Sequence, residues 1–138
     1  MNLLIGHVAP IFAEESIKLV TEERARLGLY VYVYVHDPEL SRIAQIKAQD
    51  VVDNGYFEHN SPTYGSPGDM LTHFGYFWSL QGENLHWGSQ TAKGAVDAWI
   101  KSPGHYANIK HTEFRNIGAG YAVDANGKPY WVHMFATQ

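Results

Sequence analysis

The sequence predicts an α+β domain. Two observations favour this class: apolar residues recur at helical spacing in three segments, and two segments near the C-terminus alternate like the arms of an antiparallel hairpin. The chain has 138 residues, of which 45% are hydrophobic and 17% charged, as is typical of one globular core. We therefore predict a single domain over residues 11–138, preceded by an N-terminal extension over residues 1–10.

The extension is mildly apolar, contains Pro10 and has no basic flank, so it resembles neither a signal peptide nor a membrane span. The first helix is predicted over residues 11–27 and ends at Gly28. Its apolar face comprises Phe12, Ala13, Ile17, Val20, Ala25 and Leu27.

A Tyr-Val repeat from Tyr30 to Val35 predicts a strand, because aromatic and β-branched residues favour extended backbone. At a sheet edge, such a strand would favour self-association. The next helix is predicted to start at Asp37 and Pro38, an N-cap residue followed by a proline suited to the first turn, and to end at Gly55.

Residues 56–68 form a predicted loop, rich in proline, glycine and serine, that carries Glu58 and His59. A short helix over residues 69–74 and an irregular strand over residues 77–85 follow, and this strand contains Glu83 and Asn84.

A third amphipathic helix is predicted to end at residues 102–104, Ser-Pro-Gly, which places His105 at the helix exit. Residues 115–123 and 129–135 are predicted to pair across a turn at residues 124–127. Along the last strand, His133 shares a face with Trp131 and Phe135; it either points toward a cleft or is a core or surface histidine.

Composition excludes several classes of function. A net charge of -4 without a basic cluster argues against nucleic acid and anionic membranes as main partners. The absence of cysteine excludes a thiol nucleophile and a thiolate metal site. The aromatic fraction of 14% suggests either a core rich in rings or a groove lined by them.

His59, Glu83 and His105 are the candidate catalytic residues, because each lies at a special backbone position. Two histidines and a carboxylate could hold Zn²⁺ or another divalent cation, with His59 and His105 as ligands, or they could act as an acid-base pair. They are 24 and 22 residues apart, so spacing alone does not show that they converge, and each histidine could equally cap or pack.

Several motifs, in this order, resemble those of the CAP superfamily, which comprises cysteine-rich secretory proteins, antigen 5 and pathogenesis-related class 1 proteins and is also called the SCP domain. The chain is most similar to its cysteine-free bacterial branch. The motifs are Leu19-Val20-Thr21-Glu22-Glu23-Arg24-Ala25, Asp37-Pro38-Glu39-Leu40, Asn54-Gly55-Tyr56-Phe57-Glu58-His59-Asn60-Ser61-Pro62, Gly82-Glu83-Asn84-Leu85, Trp99 with Ser102-Pro103-Gly104-His105-Tyr106-Ala107-Asn108-Ile109, Ile117-Gly118-Ala119-Gly120-Tyr121 and Tyr130-Trp131-Val132.

The resemblance implies a three-layer α-β-α sandwich with a central, largely antiparallel sheet and a cleft that holds two histidines and two glutamates. His59, His105 and Glu83 match three of these four positions, whereas Ser102 stands where the family has the second glutamate. Glu58 could replace that glutamate in space. The predicted ligand cleft thus also includes Glu58, Asn84, Ser102 and His133.

The resemblance also implies an extracellular or cell-envelope location. Our first hypothesis is a binding module whose cleft takes a divalent cation, a small molecule, a lipid or an envelope component. The second is a metal-dependent hydrolase of peptide or envelope polymer, with Glu83 or Glu58 as general base. The third is a structural, lipid-binding or association module that uses exposed aromatic residues.

Overall fold

The computed structural model describes residues 3–29 and 35–138. Its elements are α1 (Leu3–Arg26), β1 (Val35–His36), α2 (Pro38–Asn54), α3 (Pro67–His73), β2 (Leu80–Trp87), α4 (Ala92–Ile100), α5 (Pro103–Lys110), β3 (Asn116–Val123) and β4 (Pro129–Thr137).

The described strands form one sheet in the order β1-β3-β4-β2. β1 runs parallel to β3, whereas β3 with β4 and β4 with β2 are antiparallel. This confirms the predicted hairpin and the largely antiparallel sheet. Of the strand predicted between Tyr30 and Val35, residues 30–34 lie outside the described residues, and Val35 begins β1.

Two apolar clusters, one on each face of the sheet, confirm the three-layer sandwich. Side chains of α1, α4 and α5 pack against alternate residues of β3 and β4, including Tyr121 and Trp131. Side chains of α2 and α3 pack against the intervening residues, such as Ala122 and Val132. The period of two along each strand thus divides the core into two layers.

The first helix begins earlier than predicted, at Leu3 instead of residue 11, and includes Pro10. Ala9 and Ala13 are both buried in the cluster with α4, so tertiary packing on both sides of Pro10 outweighs its lost backbone donor. The predicted boundary between residues 10 and 11 therefore falls within a helix. No helix in the described part of the chain combines the length and apolarity needed to cross a membrane.

The start and end of α2 agree with the prediction. Asp37 Oδ1 accepts hydrogen bonds from the backbone N–H of Glu39 (3.0 Å) and Leu40 (3.2 Å). Gly55 ends the helix in the left-handed conformation, with φ of 65°. These caps fix the point at which the chain enters the loop that carries His59.

The helix predicted to end just before His105 is followed directly by a second helix. α4 ends at Ile100, and Pro103 then begins α5, so His105 lies in the first turn of a new helix. The predicted end of the first of these helices is correct to within two residues. The prediction missed the second helix because Pro103 was treated only as a helix stop, although a fixed φ and a missing N–H also suit the first helical position.

Side chains form hydrogen bonds with backbone groups of β3 and β2 that pair with no other strand in the described part of the chain. Next to β1, Ser41 Oγ accepts a hydrogen bond from the N–H of Ala119 (3.1 Å), and the side-chain amide of Gln45 bonds both backbone groups of Tyr121 (2.8 and 2.9 Å). On β2, the carbonyl of Glu83 accepts from Asn108 Nδ2 (3.3 Å). The carbonyl of Leu85 accepts from Trp99 Nε1 (3.0 Å).

Candidate functional site

The candidate site centres on a hydrogen bond between His59 and Glu83. His59 Nδ1 lies 2.8 Å from Glu83 Oε1, and the imidazole is 59% exposed whereas the carboxylate is 1% exposed. An ionised carboxylate only accepts hydrogen bonds, so Nδ1 carries the proton and Nε2 is the nitrogen left to bind a ligand. The hydrogen bond to Glu83 raises the pKa of His59.

Lys47, which our sequence analysis did not single out, holds this pair in place. Its side chain is 1% exposed, and Nζ donates to the carbonyls of Glu58 (3.0 Å) and His59 (2.5 Å). The same ammonium lies 3.9 Å from Glu83 Oε1. Lys47 therefore fixes the loop backbone and also supplies the buried carboxylate with a counter-charge.

The sequence contains a signal for Lys47. Within α2 it lies between Ala44 and Ala48, on the stripe of buried residues that faces the sheet. A lysine at such a position needs hydrogen-bond partners, since burial of its ammonium opposes the charged form. Accordingly, burial lowers the pKa of Lys47.

His105 is oriented by Ser102 in place of a carboxylate. His105 Nδ1 lies 2.8 Å from Ser102 Oγ, and Ser102 is the N-cap residue of α5 although its side chain makes no capping bond. Burial lowers the pKa of His105, and the nearby charge of His59 lowers it further. Each histidine thus has an oxygen atom on Nδ1, and the two imidazoles interact electrostatically.

Asn84 joins the strand that carries Glu83 to the helix that carries His105. It is fully buried, its Nδ2 donates to the carbonyl of His105 (3.0 Å), and its Oδ1 accepts from Asn108 Nδ2 (2.8 Å). Asn108 is a second site residue that sequence analysis missed. Asn84 therefore positions the site from within the core instead of lining a cleft.

Glu58 is exposed, and its backbone carbonyl is the group that bonds Lys47. Within residues 3–29 and 35–138, no three histidine, aspartate or glutamate side chains form a group that could hold a metal ion. Glu58 therefore does not complete a set with His59 and Glu83. His59, Glu83 and His105 together form no such group either.

His133 does not line the cleft, which corrects our assignment. Glu83 pairs across the strands with Met134 of the α2 layer, whereas His133 pairs with Asn84 on the opposite face. The imidazole is 0% exposed, its Nε2 lies 2.7 Å from Ser16 Oγ, and its ring centroid lies 4.5 Å from that of Trp99. It is a core histidine, placed there by strand alternation.

Burial of His133 predicts a loss of stability in acid. Its pKa falls from 6.5 to about 3 in the folded protein, so between these values the unfolded chain binds one more proton than the folded chain. The free energy of unfolding should then fall by up to ~1.4 kcal/mol per pH unit as the pH decreases. His133→Gln, which retains a partner for Ser16, should flatten the dependence measured by urea denaturation between about pH 7 and about pH 5. Parallel curves for the two proteins would contradict this role.

The three-layer α-β-α sandwich is the architecture that the resemblance implied. The model of the cysteine-rich secretory protein (CAP) family matches residues 17–135. The chain belongs to this family.

Two of the known proteins similar to this chain come from Bacillus species. The Bacillus subtilis (strain 168) protein YkwD, described as uncharacterized, is 38% identical over 124 residues, which are 90% of this chain and 46% of YkwD. The crystal structure of an extracellular protein containing a SCP domain from Bacillus anthracis superposes with a TM-score of 0.87 at 25% identity, covering 97% of this chain and 43% of that one. The chain thus spans less than half the length of both relatives.

The fold is also shared with a spirochaete protein. An outer surface protein from Borrelia burgdorferi has a TM-score of 0.80 at 21% identity, covering 91% of each chain. At this identity the similarity concerns the fold alone.

Proposed function

We propose that this chain is a secreted or cell-envelope binding module whose cleft takes a divalent cation, such as Zn²⁺, on His59 and His105. One observation carries the proposal: Glu83 and Ser102 contact Nδ1 of His59 and His105 respectively, which leaves Nε2 of each imidazole as the nitrogen for a ligand. An oxygen partner on the second ring nitrogen is the usual arrangement for histidine ligands.

The roles of the remaining residues follow from their contacts. Glu83 orients His59 and increases its basicity, while Lys47 holds Glu83 and the loop backbone. Ser102 and Asn84 orient His105. A bound divalent ion would supply a Lewis-acid centre with positions open to a small external ligand. The extracellular description of the Bacillus anthracis relative supports the proposed location.

Zinc titration by calorimetry tests the proposal. Wild type should bind one equivalent, and His59→Ala or His105→Ala should each weaken binding at least about tenfold, the scale that even an orienting partner contributes. His73→Ala is the matched control, since His73 is exposed on α3 and its ring contacts Tyr64 and Phe74. It should leave the affinity unchanged.

The pH dependence identifies which histidine titrates first. Only neutral imidazole binds metal, and the pKa of His59 is raised while that of His105 is lowered. Affinity should therefore fall with decreasing pH through protonation of His59, while His105 is still neutral. Binding that survives both alanine substitutions would place the metal elsewhere and reject the proposal.

A further inference from the structure

A second cleft, of about 290 Å³, lies between the end of α2 and the turn that joins β3 to β4. The residues that line it include Val51, Val52 and Gly55 at the end of α2, and Tyr56, Phe57 and Tyr130. None of the polar residues assigned to the His59 and His105 site lines it.

Two aromatic rings form a tilted pair at this cleft. The ring centroids of Phe57 and Tyr130 are 6.3 Å apart with an angle of 50° between the planes, and Phe57 is 41% exposed. Tyr130 is half-buried and pairs across the strands with Trp87, which is exposed. Both rings thus line the cleft with part of their surface accessible to a ligand.

The cleft contains the carboxylate of Asp124, whose Oδ2 accepts a hydrogen bond from Tyr130 Oη (3.2 Å). Asp124 Oδ1 accepts from the backbone N–H groups of Asn126 and Lys128 (both 2.9 Å). These hydrogen bonds lower the pKa of Asp124, so its carboxylate is ionised at neutral pH. The C-terminal end of α2, which carries partial negative charge, has no basic residue in its last turn.

Two lysines of the protein lie over aromatic rings that neighbour this pair. Lys47 Nζ lies 5.1 Å from the ring centroid of Tyr56, and Lys128 Nζ lies 4.2 Å from that of Trp87. Both are cation-π distances. Tyr56 precedes Phe57 in the chain and Trp87 pairs with Tyr130 across the strands, so rings beside the cleft already contact cations.

We propose that this cleft binds an organic ammonium group, held against the rings of Phe57 and Tyr130 and balanced by the carboxylate of Asp124. The carboxylate, the aromatic rings and the C-terminal end of the helix all favour a positively charged ligand. Aromatic cages in other proteins bind weakly hydrated cations such as quaternary ammonium groups. The site is separate from the proposed metal site and does not depend on it.

The test uses choline as the probe and 3,3-dimethylbutan-1-ol, its uncharged isostere, as the reference ligand. Saturable chemical-shift changes at the backbone amides of Gly55, Phe57 and Tyr130 should appear with choline, with affinity about tenfold higher than for the alcohol. Phe57→Leu and Asp124→Asn should each weaken choline binding about fivefold or more. Lys128→Ala removes a like charge and should strengthen it.

Two controls separate the site from general effects. Phe77→Leu removes an exposed ring from a cleft of about 250 Å³ that has no carboxylate among its lining residues, and it should not change choline binding. Phe57→Leu should leave zinc affinity unchanged, which separates this proposal from the metal site. Equal affinity for choline and the alcohol, or no saturable shift at the three amides, would overturn the proposal.

Discussion

Replacing Lys47 with methionine should lower the free energy of unfolding by about 3 to 5 kcal/mol, the effect expected when one partner of a buried ion pair is removed. Methionine has a similar length but cannot donate, so the carbonyls of Glu58 and His59 lose their hydrogen bonds. Glu83, 1% exposed, also loses its counter-charge. The pair is buried, so salt should change this loss little.

Urea denaturation at neutral pH measures the effect, and Lys93→Met is the matched control. Lys93 is 75% exposed and bonds Asp97 across one helical turn, so its replacement should change stability by less than about 0.5 kcal/mol. If Lys47→Met lowered the free energy of unfolding no more than Lys93→Met, the contacts of Lys47 would not hold the site together. Rescue by Glu83→Gln in the double variant would assign part of the loss to the uncompensated carboxylate.

Gly120→Ala should destabilise the fold by at least about 3 kcal/mol, at the upper end of overpacking effects. A Cβ at this position would lie 2.3 Å from the carbonyl oxygen of Ala44 and 2.6 Å from the nitrogen of Gln45. Both atoms belong to the backbone of α2, which cannot move aside as a flexible side chain does. Relief would require α2 to lift from β3 and would break the hydrogen bonds between Gln45 and Tyr121.

Gly104→Ala provides the comparison, since a Cβ there would have no atom within 4 Å and the residue lies in the first turn of α5. It should be neutral or stabilising by up to about 1 kcal/mol, because alanine favours helix. Thermal denaturation of both variants, followed by circular dichroism, distinguishes them. Similar melting temperatures for Gly120→Ala and wild type would show that α2 does not pack directly on the strand.

The elements that the sequence predicted well are those whose signals are local. The caps of α2 at Asp37 and Gly55 depend on a few neighbouring residues, and the hairpin depends on strand alternation around a turn. Pro103 shows the limit of such signals, since proline both ends helices and begins them. Here both occur, since α4 ends at Ile100 and α5 begins at Pro103, and Ile109 of α5 is buried in the core with residues of α1.

Only part of the candidate site was predictable from the sequence, because contacts between elements distant in sequence decide which groups bond. The motifs indicated His59, Glu83 and His105, but the partner of each group depends on how α2, β2 and α5 meet. This packing has three consequences. Ser102 bonds His105, Lys47 bonds two backbone carbonyls, and Asn84 bonds the backbone of α5. His133 shows the reverse case, since a shared face with Trp131 and Phe135 indicated the core as much as a cleft.

Four side chains affect how this domain meets other molecules. Ser41 and Gln45 bond the part of β3 that lies beyond β1, and Asn108 and Trp99 bond β2. An extended peptide that added to β2 or to this part of β3 would have to displace bonds that hold α2, α4 or α5 in place. Strand addition is therefore coupled to partial unfolding at these positions. Crowding many copies of the domain together therefore need not lead to fibrils through β2 or this part of β3.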